Sequence, residues 1–595
     1  MRRARARLRG APAVSILFAL LVAASIGAFF VTTRLKRTTP VVQRLQFGRF
    51  VSPNGDGRHD TVRISFRTKR RDDVTVAIVT PDGDEVRVLL RDRRLRRGRH
   101  VFRWDGRDAD GAPAPDGDYR VRVLLRHQGR SVTSSQKLFV DTVPPAPVVR
   151  YVKPDAISPG GFGGDNHATV RFDGPTRVPP RLLVYRTDLP QPRLVARRIG
   201  RARRDLIGWD GRVGLGTKLR PAPAGNYLLL VRVVDAAGNV GPVGLPERGQ
   251  LRGSPGLIVR YVAGTGPRAS VPAGRTASFR VQSGGRRYRW RVHRLGSRHT
   301  LERGSSRAAA LRVRAPRGRS GVFLLALRAG SHRYQIPFPI QARRRQRLLV
   351  VLPATTWQAL NPLDADQDGF SDTLAEQSRV ALQRPFAGDG LPRGFSGEVA
   401  PTLAFLDRAG LRYDVTTDLA FAAPSARPPV RYDGLLFAGP PAFYPRSAGR
   451  LVRSYVEAGG RVGWLGAGGF TRAVDVKGGS LVGAGGGPAR NLFGETLVDA
   501  RPAGLLTVLG DRIDFFAGVG ASFGPFPALE EEARLPRDAR LLASAGRDAG
   551  HPSLVVYRDG KGVVARVGVD GFSSTARSSP DAGRIMRRLW TLLSR

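Results

Sequence analysis

Hydrophobic and polar residues alternate in two different ways along this chain of 595 residues. Through its first half, apolar side chains recur at every second position, as in Val62, Ile64 and Phe66, and Asp-Gly turns separate the runs. A period of two predicts half-buried strands, and about 100 residues of such strands predict a β-sandwich. The pattern divides into three predicted sandwiches, at residues 41–146, 147–247 and 248–345.

The pattern changes after residue 345. Residues 347–353, Arg-Leu-Leu-Val-Val-Leu-Pro, contain a short, continuous apolar run of the kind that a buried parallel strand shows. Residues 399–410 then predict a helix that ends at Gly410, and strand and helix patterns continue to alternate toward the C-terminus. This alternation predicts an α/β domain with a mainly parallel sheet over residues 346–595.

An apolar segment at residues 13–33 precedes all of these modules. It has about 20 residues without a charge, enough to cross a bilayer as a helix. Five arginines before it and three basic residues after it favour a cytoplasmic N-terminus and export of the remainder. Residues 1–40 are therefore predicted to be a cytoplasmic tail and signal anchor, with single-pass localisation in the cell membrane and the bulk of the chain extracytoplasmic. A cleaved signal peptide and a buried core helix are the alternatives.

Composition narrows the chemistry that the chain can perform. It contains no cysteine, which excludes disulfides, thiolate metal sites and cysteine nucleophiles. Its formal charge of +50 comes mainly from arginines spread through every segment rather than from a clustered tail or helix. This spread argues against nucleic acid as the partner. The positive charge is interpreted either as a solvated basic surface or as a surface that contacts anionic envelope polymers or other surface proteins.

A repeated set of motifs marks the first two predicted sandwiches. Residues 52–57 read Ser-Pro-Asn-Gly-Asp-Gly, and Trp104-Asp105-Gly106 and Gly117-Asp118-Tyr119 follow. Trp209-Asp210-Gly211 and Gly225-Asn226-Tyr227 repeat the last two motifs. The set resembles the immunoglobulin-like module of flagellar hook-cap (FlgD-like) proteins. This resemblance implies tandem immunoglobulin-like spacer or assembly modules without catalytic residues.

The predicted C-terminal domain carries a second resemblance. Thr356-Trp357-Gln358-Ala359 directly follows the first apolar strand. With the preceding sandwich, it resembles the C-terminal part of the N,N-dimethylformamidase large subunit and the class I glutamine amidotransferase-like fold. Amidotransferases of that class place a cysteine after one strand and a histidine after the last. This chain has Gly466-Ala467-Gly468-Gly469 and Val569-Asp570-Gly571-Phe572 at those places, so thiol-dependent hydrolysis is excluded.

The formamidase resemblance also implies iron bound by one tyrosine and two glutamates. Leu360 stands where the tyrosine is expected, and an aliphatic side chain cannot ligate iron. Glu495 and the run Glu530 to Glu532 are available as carboxylates, but their spacing selects none of them as a ligand. The run itself is interpreted as a solvated loop, and the sequence argues against bound iron.

One metal site is indicated directly by spacing. Aspartates alternate with other residues in a short stretch that includes Gly369. Oxygen ligands at alternate positions and a glycine at the sharp turn are typical of calcium loops. The alternative is a loop of Asx turns without metal. The predicted ligands are Asp364, Asp366, Asp368 and Asp372.

These observations leave two hypotheses for the function. The first is a membrane-anchored, non-catalytic protein whose sandwiches form a stalk that presents an α/β domain to a ligand or partner. The second is a metal-dependent amide (C–N) hydrolase resembling the formamidases. The missing cysteine and histidine and the presence of Leu360 favour the first hypothesis.

Overall fold

A computed structural model describes residues 12–36, 42–160, 165–174, 177–483 and 490–595. The chain divides into two compact units, Met1–Ala146 with Val233–Val243 and Pro147–Arg232 with Gly244–Arg595. The arginines of the predicted cytoplasmic tail lie outside the described residues.

The first described element is helix α1, Pro12–Lys36. A membrane span needs about 20 consecutive apolar residues. Among the residues that the structure describes, no helix combines the length and the apolar character that crossing a membrane requires. The predicted anchor at residues 13–33 and the single-pass membrane localisation are therefore wrong.

The first unit contains two sheets, ordered β1-β3-β6 and β2-β9-β7-β4-β5, with β8 paired to β7. Their apolar faces share one core around Trp104. The strands are β1 Val42–Phe47, β2 Phe50–Val51, β3 Val62–Thr68, β4 Asp72–Val79, β5 Glu85–Leu95, β6 Gly98–Trp104, β7 Gly117–Leu125, β8 Arg130–Thr133 and β9 Leu138–Val140.

The next two sandwiches repeat this arrangement. Their sheets are β10-β12-β15 with β11-β20-β18-β13-β14, and β21-β23-β26 with β22-β28-β27-β24-β25; β16 pairs with β17, and β19 with β18. In all three sandwiches a two-residue strand adds in parallel to a longer one. The strands of the second are β10 Val149–Lys153, β11 Ala156–Ile157, β12 Ala168–Phe172, β13 Arg181–Arg186, β14 Arg193–Ile199, β15 Leu206–Trp209, β16 Arg212–Val213, β17 Arg220–Pro221, β18 Gly225–Val234, β19 Val240–Gly241 and β20 Gly256–Val259. Those of the third are β21 Ala263–Thr265, β22 Val271–Pro272, β23 Thr276–Gln282, β24 Tyr288–Arg294, β25 Thr300–Ser306, β26 Ala310–Arg314, β27 Gly321–Ala329 and β28 His332–Gln341.

The C-terminal domain is built on a nine-stranded sheet, ordered β31-β29-β32-β34-β41-β40-β39-β37-β38, and a four-stranded sheet, ordered β30-β36-β35-β33. Short helices cover the larger sheet; residues 395–399 form a π-helical turn and residues 418–422 a 3₁₀ turn. The strands are β29 Leu348–Leu352, β30 Arg379–Ala381, β31 Asp414–Thr417, β32 Gly434–Phe437, β33 Phe443–Pro445, β34 Arg461–Leu465, β35 Arg472–Lys477, β36 Ser480–Val482, β37 Thr496–Asp511, β38 Ser522–Arg534, β39 Arg540–Gly546, β40 Pro552–Asp559 and β41 Gly562–Val567. The helices are α2 Ala354–Ala359, α3 Ala400–Arg408, α4 Arg446–Glu457, α5 Phe572–Thr575 and α6 Pro580–Leu593.

The prediction of a mainly parallel α/β domain is wrong. Strands β31, β29, β32, β34 and β41 are parallel neighbours. Strands β37 to β41, however, pair antiparallel. Connections without a crossover helix can join antiparallel strands only, and no helix lies between β37 and β41. The sheet is therefore mixed.

The Trp-Asp-Gly motifs make the same contacts in the first two sandwiches. The buried indoles of Trp104 and Trp209 donate hydrogen bonds to the carbonyl three residues later, at 2.7 and 3.0 Å. The motif glycine then adopts a positive φ of +65° at Gly211. A Cβ at this position would clash with the ring of Pro159. Glycine is therefore required there by both backbone conformation and space.

We expect Gly211→Ala to lower the free energy of unfolding by about 2–4 kcal/mol, because left-handed backbone strain adds to overpacking against Pro159. The matched control is Gly244→Ala, where φ is +80° but no heavy atom lies within 4 Å of the new Cβ. That variant should lose only about 1 kcal/mol. Urea unfolding followed by tryptophan fluorescence measures both, and equal losses would contradict the steric part of this explanation.

Candidate functional site

The carboxyl ends of the parallel strands are where ligands bind in open sheets of this kind. In the C-terminal domain, five strands end at one edge. The residues that directly follow them are Pro353, Asp418, Ala438, Gly466 and Gly568. Any active site of the amidotransferase type would have to be built here.

The loop at residues 466–469, where such an enzyme would place its nucleophile, is fixed by carboxylates. The Ala467 amide donates to Asp570 Oδ1 at 3.0 Å. Burial raises the pKa of Glu530, and a backbone hydrogen bond from Gly468 partly offsets this rise. Gly466 has φ +97°, and a Cβ on it would lie 2.8 Å from the Pro440 ring. The loop therefore has a fixed backbone and offers no reactive side chain.

Two further carboxylates reach this edge, and both accept backbone hydrogen bonds. Glu398 Oε1 accepts from the Gly571 amide at 2.6 Å, while its Oε2 is buried without a hydrogen-bond partner among the described residues. Burial, and then the charge of Asp570, raise the pKa of Glu398 to about 7. Asp418 is wholly buried, accepts from the Thr355 amide at 3.0 Å, and has its pKa raised to about 7 by burial.

Leu360 lies directly after α2 and packs against an apolar cluster beneath the four-stranded sheet. Its side chain is therefore part of the apolar packing. The formamidase resemblance implies an iron-binding tyrosine at this position. The neighbouring Gln358, from the motif that carries that resemblance, donates to the Arg384 carbonyl.

The acidic run Glu530 to Glu532 is not the solvated loop that the sequence predicted. It lies on β38, and all three side chains are buried. The physical reason is Arg566 on β41, which is fully buried and lies 3.2–3.7 Å from Glu495, Glu530 and Glu532. Three carboxylates thus surround one guanidinium in the interior.

This buried cluster contains three carboxyl groups but one guanidinium among the described residues. Burial raises the pKa of Glu495, and burial followed by repulsion from Glu495 raises that of Glu532 to about 8. Arg566 opposes both rises. Both oxygens of Glu532 and one of Glu495 make no hydrogen bond to other described residues. The folded cluster therefore retains at least one proton near neutral pH.

The four predicted calcium ligands come together. Among the described residues, Asp364, Asp366, Asp368 and Asp372 form the one group of acidic or histidine side chains with the spacing of a metal site, and one oxygen from each lies within 4.8 Å of the others. Asp364 is wholly buried and Asp372 nearly so, whereas Asp366 is exposed. Burial, followed by repulsion from the other three aspartates, raises the pKa of Asp364 to about 8.

The acidic loop is packed against the second sandwich. The Gly256 amide on β20 donates to the Gln367 carbonyl at 2.8 Å, and Asn226 on β18 donates to the Pro362 carbonyl. Gly256 has no room for a side chain, because a Cβ there would meet the Asp364 carboxylate. Arg384 binds the carbonyls at both ends of the loop, Leu363 and Asp372, at 3.0 and 3.1 Å.

One arginine forms ion pairs with two of these four aspartates. Arg248 Nε lies 2.9 Å from Asp368, its Nη2 lies 3.1 Å from Asp372, and its Nη1 lies 2.9 Å from Glu376. Sequence reasoning missed Arg248 because it is separated from Asp368 by 120 residues, and no local pattern links the two. It missed Gly256 for the same reason.

Two segments of the chain match known protein families. Residues 55–128 match the FlgD Ig-like domain, and residues 306–486 match the family described as N,N-dimethylformamidase beta subunit-like, C-terminal. Both resemblances predicted from the motifs are confirmed for these segments. The amidotransferase-like fold stays a prediction.

The relatives of known name cover a small part of the chain. The basal-body rod modification proteins FlgD of Salmonella typhimurium and Salmonella typhi are each 35% identical to it over 68 residues, which is 11% of this chain and 29% of theirs. This chain therefore spans less than a third of these relatives.

Two solved structures are similar to parts of the chain. The β-galactosidase from Rahnella sp. R3 has 20% identity over 32% of this chain and 26% of its own, with a TM-score of 0.23. A ThuA-like protein from Parabacteroides merdae has 14% identity over 33% of this chain and 83% of its own, with a TM-score of 0.21.

Removing the buried guanidinium of this cluster should destabilise the C-terminal domain. We expect Arg566→Met to lower the free energy of unfolding by about 3–5 kcal/mol, because it leaves buried carboxylates without a counter-charge. Arg558→Met, at an exposed position on β40, should cost less than about 0.5 kcal/mol. Thermal unfolding compares the two, and equal effects would contradict the role assigned to Arg566.

The same cluster predicts how stability depends on pH. The pKa of Glu532 is about 8 in the folded protein and 4.5 in the absence of these contacts, so unfolding releases its proton between these values. Stability should therefore fall as the pH rises from 5 to 8, and Glu532→Gln should flatten this fall. Glu247→Gln, at an exposed site, should leave the profile unchanged. A profile equally steep in Glu532→Gln would contradict the assignment.

Proposed function

We propose that this chain is a non-catalytic binding protein whose sandwiches carry a C-terminal domain that engages a ligand or partner. One observation supports this most strongly. The loop at residues 466–469 carries no nucleophile, and Asp570 beside it accepts a hydrogen bond from the Ala467 amide. A catalytic acid or base needs a carboxylate that is able to reach substrate.

The named relatives add a role for the first sandwich alone. The Salmonella proteins that share a 68-residue similarity with this chain are named for basal-body rod modification. By analogy, the FlgD-like segment, residues 55–128, is a spacer or assembly module. It contributes position rather than chemistry in this proposal.

Calcium is the cofactor that we propose for the acidic loop. Carboxylate oxygens within 4.8 Å of one another suit a hard cation with oxygen ligands. The high pKa of Asp364, which results from burial and then from repulsion by the other aspartates, supports the same conclusion, because a bound cation would relieve the repulsion. In this proposal Arg248 neutralises the site in part, and calcium supplies the remaining charge. The cation stabilises the packing of the loop on β18 and β20.

Calcium binding is testable with an exposed ligand. We expect CaCl₂ to raise the melting temperature of the wild-type protein and EDTA to reverse the rise, because a ligand that binds only the folded state stabilises it. Asp366→Asn should abolish the response, since it removes one ligand from an exposed position. Isothermal titration calorimetry measures the binding directly.

The control for this test is Asp110→Asn. Asp110 follows Asp108 in a turn of the first sandwich whose amides bond to Asp108 Oδ1, without a cluster of carboxylates. This variant should keep the full calcium response. A wild-type melting temperature that does not change between EDTA and millimolar calcium would contradict the calcium proposal and leave Arg248 as the sole counter-charge.

The second candidate function is a metal-dependent amide hydrolase. It is favoured by Glu398, whose buried Oε2 has no hydrogen-bond partner among the described residues, and by Asp570 beside it. Incubation with ferrous iron or zinc, followed by gel filtration and elemental analysis, separates the two functions. The non-catalytic proposal predicts no retained iron or zinc and no formate released from N,N-dimethylformamide. Stoichiometric metal lost in Glu398→Gln, together with formate release, would overturn it.

A further inference from the structure

The outer face of the third sandwich carries a basic groove of about 680 Å³. It lies on the five-stranded sheet, over strands β25, β24, β27 and β28. One end of that face is covered, because Val322 and Leu324 pack into the core of the C-terminal domain. The open part is the groove, and the side chains that line it include five exposed arginines, Arg289, Arg291, Arg303, Arg328 and Arg333.

Strand register sets these arginines side by side. Arg289 on β24 is directly opposite Arg328 on β27, which is itself opposite Arg333 on β28. Arg291, two positions along β24, is directly opposite Arg303 on β25. Directly opposed residues of an antiparallel sheet lie about 5 Å apart, and successive positions on one face about 7 Å apart. The result is two adjacent rows of positive charge.

The groove contains nothing that neutralises this charge. No Asp or Glu lines it among the described residues, and none of the five arginines takes part in a described ion pair. Arg294, the arginine that follows Arg291 on β24, does have an acidic partner. It forms two hydrogen bonds to Asp407, at 2.8 and 2.9 Å. Like charges directly opposite each other destabilise a sheet, so a bound anion would relieve the repulsion between these arginines.

We propose that this groove binds a linear polysaccharide that carries carboxylate groups. Guanidinium groups recognise carboxylates through paired hydrogen bonds. Ser305, His293 and Gln335 line the same groove and supply uncharged hydrogen-bonding groups, which suit sugar hydroxyls. The combination matches a chain in which acidic groups alternate with hydroxyls.

Two other polyanions fit less well. Single-stranded nucleic acid is normally held by aromatic rings that stack on the bases. Here Trp290 packs against the sandwich core and over Gly304, and Tyr334 is only 2% exposed. An acidic peptide added as a strand would pair with the edge strand β25, whereas these arginines lie mostly on inner strands. This inference is independent of whether the C-terminal domain is catalytic.

The test uses the full chain and a fluorescent oligogalacturonate of ten sugars. Fluorescence anisotropy should detect binding in 50 mM NaCl that weakens in 300 mM NaCl, because exposed charges are screened. Arg291→Gln with Arg328→Gln should weaken binding at least tenfold. The matched control is Arg63→Gln with Arg103→Gln, which removes two exposed arginines directly opposite each other on β3 and β6 and should change affinity less than twofold.

Three results would overturn the proposal. The first is no binding of oligogalacturonate by the wild-type protein. The second is equal weakening by the two double variants, which would assign binding to net charge rather than to the groove. The third is tighter, groove-dependent binding of single-stranded DNA with the same number of charges. Circular dichroism of each variant verifies that it is folded.

Discussion

The packing of an acidic loop against a β-sandwich is the constraint on which the larger unit depends. The carboxylate of Asp364 is wholly buried where the loop meets Gly256 on β20, and no side chain fits between them. Charge of that kind is stable in the interior only when it is neutralised. Arg248 meets part of this need through Asp368 and Asp372. The second sandwich and the C-terminal domain are thus joined through electrostatics as well as apolar contact.

A second buried charge cluster stabilises the C-terminal domain itself. Arg566 and the glutamates around it connect β38 and β41 behind the loop at residues 466–469. Asp570 accepts a hydrogen bond from the Ala467 amide of the same loop. The edge of the sheet where an enzyme of this general architecture would act is therefore held by structural hydrogen bonds.

Local patterns in the sequence predicted much of this structure. Strand β29 occurs where the continuous apolar run predicted it, and the helix that precedes Gly410 ends as its glycine indicated. The four aspartates come together because turn geometry within nine residues brings them together. The two families were also recognisable from short motifs.

What the sequence could not predict depends on contacts between distant residues. The antiparallel half of the large sheet was missed because β37 and β38 are irregular, with several register shifts that obscure alternation. The run Glu530 to Glu532 looked solvated because its counter-charge, Arg566, is 34 or more residues away. The apolar segment at residues 13–33 matched a membrane span by composition, but no described helix meets the requirements for one.

The most direct test of this account is amide hydrogen exchange, measured by mass spectrometry with and without calcium. If the loop joins the second sandwich to the C-terminal domain, calcium should slow exchange together in peptides covering residues 362–374 and 256–259, because the Gly256 amide bonds to the Gln367 carbonyl. Peptides from the first sandwich should not change. Slower exchange in the loop alone, or in neither peptide, would contradict the central claim.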